Sequence, residues 1–122
     1  MRAQKWEEME ELQLAHRFTL NVHRLARRFP VEAKAGLFSQ LIRAAISVSA
    51  NIAEGKGRRT SADFRHFLVI ACGSLAESRY LLMLARDLDY LDSTPHEEAD
   101  SLSLELEHRL NKLIGKMNSS LR

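Results

Sequence analysis

The sequence predicts an all-α protein, an antiparallel up-and-down four-helix bundle, on three observations. Leu, Ala, Arg and Glu dominate, and only five glycines and two prolines interrupt 122 residues; that mixture favours helix wherever packing does not decide. Apolar residues recur at intervals of three and four along four segments and nowhere alternate as a strand would. The connections between those segments are short, which favours antiparallel neighbours. With 45% apolar and 28% charged residues the chain reads as globular, and residues 1–122 read as one domain able to bury its own core.

The first helix is predicted from about Trp6 to Phe29, because Leu14, Phe18, Val22, Leu25 and Phe29 fall on one face. Pro30 ends it, since proline disfavours the helical region for the residue before it. Val31–Gly36 reads as a short connector. The second helix is predicted from Leu37 or Phe38 to Glu54, with Phe38, Leu41, Ile42, Ala45, Val48, Ser49 and Ile52 inward. Gly55 reads as the left-handed residue that stops it. The third helix starts at Thr60 or Ser61, where Thr60-Ser-Ala-Asp63 has the spacing of a capping box, and runs to about Tyr90. It carries two apolar stripes: Phe64, Phe67, Leu68, Ala71, Leu75, Leu82 and Ala85, then Ile70, Leu81, Leu84, Leu88 and Leu91. Two stripes imply packing on two sides, from a central place in the bundle or at an oligomer contact. The fourth helix opens at Thr94-Pro95-His96-Glu97, with Thr94 as cap and Pro95 first in the helix. Ala99, Leu102, Leu106, Leu113 and Met117 continue it toward a tail that frays from Ser119.

Several kinds of chemistry find no support. Glu105-Leu-Glu-His108 has Glu-x-x-His spacing and Asp63-Phe-Arg-His66 echoes it, but a di-iron bundle needs two true pairs plus a Glu from each other helix. Glu105 and His108 also lie off the apolar stripe, so no metal ligands are assigned. Cys72, the single cysteine, sits on an apolar helix and reads as a small buried hydrophobe. No nucleophile elbow, phosphate loop or dinucleotide fingerprint is present, so the expectation is no catalytic residue, no cofactor and no enzyme. No apolar run approaches a bilayer-spanning length and no apolar signal follows Met1, so the expectation is a cytoplasmic protein without a membrane partner.

Charge is uneven. Residues 16–66 carry ten cations against three acids, and residues 67–108 two cations against nine acids. The last fourteen residues add four cations and no acid. Within Asn-Ile-Ala-Glu-Gly-Lys-Gly-Arg-Arg-Thr-Ser-Ala-Asp-Phe (51–64), Lys56, Arg58 and Arg59 occupy the turn between two helices, and Arg65 follows one turn later. Arg24, Arg27 and Arg28 on the first helix form a second group. Such clusters suit phosphate contacts with structured RNA or DNA; the plainer reading is a solvated loop. No aromatic residues are interleaved with the tip, which favours charge- and shape-based duplex binding over base readout.

Gln40, Arg43, Ser47, Asn51 and Glu54 draw a polar line along the second helix. Its small members suggest close approach by another helix, with Gly73, Ser74, Glu77 and Ser78 of the third helix as the matching row. Arg43 would reach Glu77. The competing reading is a solvated face.

Phe29-Pro30, Ser39-Gln40, Arg43-Ala44-Ala45, Ser47, Asn51-Ile-Ala-Glu-Gly55, Gly57-Arg58, Phe64, Phe67-Leu68, Ile70-Ala71, Gly73-Ser74-Leu75 and Glu77 together carry a likeness. The chain resembles the bacterial four-helix-bundle proteins encoded in intervening sequences of large-subunit ribosomal RNA genes, a family that includes the accessory variability protein of diversity-generating retroelements. The likeness runs from about Trp6 to Leu91. It departs at Ile42, where an arginine is usual, near Ser49, where a proline is common, and at Arg79-Tyr80. The resemblance implies a homopentamer, no established enzymatic activity and, for the retroelement branch, a nucleic-acid-binding partner of a reverse transcriptase. The expectation is a small non-enzymatic oligomer binding structured nucleic acid through its basic surface. The alternative is an interaction protein whose oligomer docks a protein partner without nucleic acid.

Overall fold

The computed structural model describes residues 8–120, and the predicted helix start at Trp6 lies outside them. Four helices follow in order: α1 (Glu10–Ala26), α2 (Ser39–Lys56), α3 (Ser61–Asp87) and α4 (Ser93–Ser120). A 3₁₀ turn at Val31–Ala33 and a π turn at Lys34–Phe38 lead into α2. Packing runs round the ring α1–α2, α2–α3, α3–α4 and α4–α1. Each neighbour is antiparallel: Gln40 meets Glu77 and Ser47 meets Ser74, Arg79 meets Asp100 while Arg65 meets Asn118, and Glu10 meets Arg109. The fold is the four-helix bundle the periodicities predict.

The core is the sum of the inward stripes. Leu14, Phe18, Val22, Leu25 and Phe29 are all buried, as are Leu41, Ala45, Val48 and Ile52 of α2. Leu68, Ala71, Leu75, Leu82 and Ala85 of α3 meet Ala99, Leu106 and Leu110 of α4. Each fully buried Leu or Phe contributes about 1.5–3 kcal/mol. Ser78 and Ser103 are also fully buried; each hydroxyl donates to a carbonyl of its own helix, Ser74 and Asp100 respectively, so neither is left unsatisfied.

The helix ends correct the sequence reading at several places. The backbone of Gly55 is helical and no described glycine has positive φ; α2 continues to Lys56 and is capped at Gly57. Glycine is needed at 55 for space, as described below. Thr60 does cap α3, its Oγ1 accepting from Asp63 N at 3.1 Å, but only this half of the box forms. The end of α3 comes at Asp87, earlier than Tyr90, because Asp89 turns left-handed at φ 63. Tyr90 N then donates to Ala85 O at 2.8 Å and Asp89 N to Arg86 O at 3.0 Å, the paired bonds of a Schellman end with aspartate where glycine is usual. Start signals mislead for α4: His96 N donates to Asp92 O at 3.1 Å, so the helix begins at Ser93. Thr94 is therefore inside the first turn and not its cap, and Pro95 sits where no N–H is required.

The second stripe of α3 divides. Leu81 and Leu91 are buried, while Ile70 and Leu88 face outward beside Val69, Tyr80 and Met83. The double stripe makes α3 long and apolar enough, by length and composition, to cross a membrane, which corrects the expectation that no run approaches that length. In the bundle its inner stripe is core, and its charges Glu77 and Arg79 bond to α2 and α4.

Candidate nucleic-acid interface

The basic turn is built on one glycine. A Cβ added at Gly55 would stand 2.8 Å from Phe67 Cβ and 3.0 Å from Phe64 Cδ1. Its absence lets the first turns of α3 lie directly on the last turn of α2, and it brings both phenylalanine rings beneath the turn. The Arg58 guanidinium lies 4.6 Å over the Phe67 ring, and its Nη2 donates to Glu54 Oε1 at 2.7 Å. Lys56 Nζ lies 5.9 Å over the Phe64 ring. Helical periodicity alone puts both phenylalanines in the core stripe and leaves no aromatic interleaved with the cations. The fold makes them half-buried supports for two of those cations.

The remaining cations fall into two ends of the bundle. Arg59 is exposed, and its side chain makes no hydrogen bond or ion pair with any described residue. Arg65 is half-buried and donates to Asn118 of α4. That contact brings the C-terminal part of α4 to the same pole as the turn, adding Lys112 and Lys116, which border a shallow groove with Glu10, Glu11, His108 and Arg109. The signal for these lysines was the uncompensated charge of the last fourteen residues. Arg24, Arg27 and Arg28 sit at the other pole, roughly 25 Å away along α2 at 1.5 Å per residue. There Phe29 and Tyr90 meet at 6.0 Å, which brings in the α3–α4 turn with Asp87, Asp89 and Asp92. The seven candidate cations therefore do not share one end of the bundle; Lys56, Arg58, Arg59 and Arg65 do.

Part of the charge asymmetry is consumed inside the bundle. Arg79 of α3 bonds Asp100 and Glu107 of α4, each at 3.3 Å. Arg109 lies 3.4 Å from Glu10 and 3.6 Å from Glu105. Arg17 of α1 lines the same shallow groove as Glu97, Glu98 and Glu105 of α4.

Two of the five residues in the polar line of α2, Gln40 and Ser47, bond across to α3, while Asn51 bonds back to Ser47 of its own helix. Ser47 Oγ and Ser74 Oγ are 2.8 Å apart, and Asn51 Nδ2 donates to both Ser47 O and Ser47 Oγ. Gln40 Nε2 donates to Glu77 Oε2 at 3.2 Å. Arg43 does not reach Glu77 as expected: Gln40 takes that carboxylate, and Arg43 is exposed without a hydrogen-bond or ion-pair partner among the described residues. Glu54 is directed to Arg58 and not to α3.

Of the other residues considered, His66, Glu105 and His108 are exposed, and Glu105 is drawn to Arg109. Cys72 is half-buried, its Sγ 4.0 Å from Asn111 Oδ1; burial, with the Glu107 charge behind it, pushes its thiol up. Outside the bundle, Ile46 of α2 (51% exposed) and Val69, Ile70, Tyr80 (55%) and Met83 of α3 lie on the outward surface of these two helices, with Arg43 among them.

A model of the 23S rRNA-intervening sequence protein family matches residues 7–112. Among solved structures, a protein of unknown function from the S23 ribosomal protein family of Bacteroides thetaiotaomicron VPI-5482 superposes with a TM-score of 0.78. It is 25% identical, and the alignment covers 85% of this chain and 97% of that one. No curated protein matches the chain.

Proposed function

The chain belongs to the 23S rRNA-intervening sequence protein family, and from that premise we propose that it is a binding module and not an enzyme: a small oligomer that holds structured RNA or DNA by phosphate contacts at the pole formed by the α2–α3 turn. One observation carries this reading. Lys56, Arg58, Arg59 and Arg65 are gathered at one end of the bundle, where the cation-rich end of α4 joins them. Arg59 is exposed there without a paired acid among the described residues. A second copy of the chain is proposed to cover the outward α2–α3 surface around Ile46, Val69, Ile70, Tyr80 and Met83, because exposed apolar residues on adjoining helices favour association. A ring of copies would then repeat the basic pole and multiply its field.

The test is fluorescence anisotropy of a labelled duplex at several salt concentrations. Four engaged cations give a slope of log affinity against log salt of about −3.5. Arg59→Ala weakens binding to all sequences alike and lowers the magnitude of that slope by about 1. Absence of binding even at low salt refutes the nucleic-acid reading. The apolar outward face would then favour the second one, an oligomer that docks a protein partner.

A further inference from the structure

We infer that the outer face of the Arg58 guanidinium is a stacking platform for an unpaired nucleobase, so that the basic pole takes a bulged or looped strand in preference to a continuous duplex. This rests on the nucleic-acid reading above and adds to it the class of strand recognised. A guanidinium offers two things to a nucleic acid: N–H edges for phosphates and a flat delocalised face for bases. At Arg58 an edge is already taken, because Nη2 is held by Glu54 Oε1 at 2.7 Å. That carboxylate also opposes an approaching phosphate. The inner face is taken too, covered by the Phe67 ring at 4.6 Å. Yet the side chain remains 43% exposed, so the outer face is what it presents to solvent.

The plane is also held still before any ligand arrives. Glu54 anchors it from α2 and Phe67 from α3, and the close approach at Gly55 locks those two helices together. His66 packs edge-on against the Phe67 ring at 5.6 Å. A cation fixed in this way gives up little entropy on binding. Stacking on such a plane tolerates any base, because every base has a π face, but a base must first be out of its own helical stack to use it. Arg59, exposed next to Arg58 in the chain, and Lys56, over the Phe64 ring, are left to meet the flanking phosphates.

The test compares a fully paired stem with the same stem carrying a three-nucleotide bulge, each made as RNA and as DNA, with 2-aminopurine in the bulge. Wild type binds the bulged stem about tenfold more tightly and quenches the 2-aminopurine. Arg58→Lys keeps the charge and loses the plane. It should bind the paired stem within about twofold of wild type, lose the bulge preference and leave the fluorophore unquenched. A preference in RNA alone supports the platform and names RNA as its source. Equal affinity for bulged and paired stems, or a preference that survives in Arg58→Lys, overturns the platform and leaves the phosphate-binding pole intact. Failure of every probe to bind at low salt overturns the pole and the platform with it.

Discussion

Replacing Gly55 by alanine separates helix propensity from helix packing. Alanine is favoured over glycine in a helix interior by about 1 kcal/mol, and by less in a last turn. Gly55 is in the last turn of α2, so the local gain is a fraction of that. The new Cβ would stand 2.8 Å from Phe67 Cβ, 3.0 Å from Phe64 Cδ1 and 3.3 Å from Phe64 O. The first and third of these neighbours are fixed to the α3 backbone, so no side-chain rotation relieves them and the helices must part. Overpacking of this kind costs about 1–3 kcal/mol. The clash wins, and the net loss is about 1–2 kcal/mol. Gly115 of α4 is the matched control, since a Cβ there meets nothing within 4 Å; Gly115→Ala gains about 0.5–1 kcal/mol. Urea denaturation followed by helical circular dichroism, at one protein concentration, reads both. The midpoints shift in opposite directions with unchanged slopes. A Gly55→Ala protein as stable as wild type refutes the close approach of α2 and α3, and removes the framework on which Arg58 is positioned.

Asp89→Gly relieves a left-handed residue and stabilises the protein by about 1 kcal/mol, read as a rise of several degrees in thermal midpoint; no rise refutes the strained helix end. Arg43→Ala, which breaks no hydrogen bond or ion pair among the described residues, changes the unfolding free energy of the monomer by less than about 0.5 kcal/mol. Arg79→Ala, by contrast, costs up to about 1 kcal/mol at low ionic strength and less in high salt, because it bridges Asp100 and Glu107 from a half-buried position. Burial and the Glu107 charge both favour the neutral Cys72 thiol, so iodoacetamide modifies the native protein more slowly than the urea-unfolded chain at mildly alkaline pH. The rate climbs with pH over a window displaced upward from that of a free thiol. Glu107→Gln moves that window back down by a smaller amount than unfolding does, since burial is the larger cause.

The bundle was legible because its signal is redundant. Leu14, Phe18, Val22 and Leu25 of α1 fall on one face and are all buried, as is Phe29 beyond its end at Ala26, three residues short of the predicted stop; a misreading of any one would not have moved the helix. Helix ends lack that redundancy, and there the reading failed wherever a single residue had two physical uses. Gly55 could stop a helix or admit a neighbouring one, and its own sequence context does not distinguish them. The answer lies in Phe67, twelve positions on. Pro95 fits any place in a first turn, so Thr94 and Asp92 competed for the cap, and the carbonyl of Asp92 took the first helical bond. At Asp89 the left-handed end carries no glycine to announce it.

The candidate site shows a different boundary. Counting cations along the chain groups Lys56, Arg58, Arg59 and Arg65, and the fold keeps them at one end of the bundle, because residues close in sequence stay close in any fold. It does not say what each cation faces. Arg24, Arg27 and Arg28 belong to the opposite pole because α2 separates the two turns by its own length. Lys112 and Lys116 join the first pole because α4 returns to it. Among the four first candidates the folded environments are all different: Arg59 is exposed with no ion-pair partner among the described residues, Arg65 is bonded to Asn118, Lys56 lies over Phe64, and Arg58 is held between Glu54 and Phe67. Charge alone would rank Arg58 and Arg59 as equals. Their surroundings divide the work instead, so that Arg59→Ala should lower the salt dependence of binding while Arg58→Lys should change which strand is preferred. If both substitutions altered only the salt slope, the two arginines would be interchangeable phosphate contacts, and the pairing of Arg58 with Glu54 and Phe67 would have no consequence for binding.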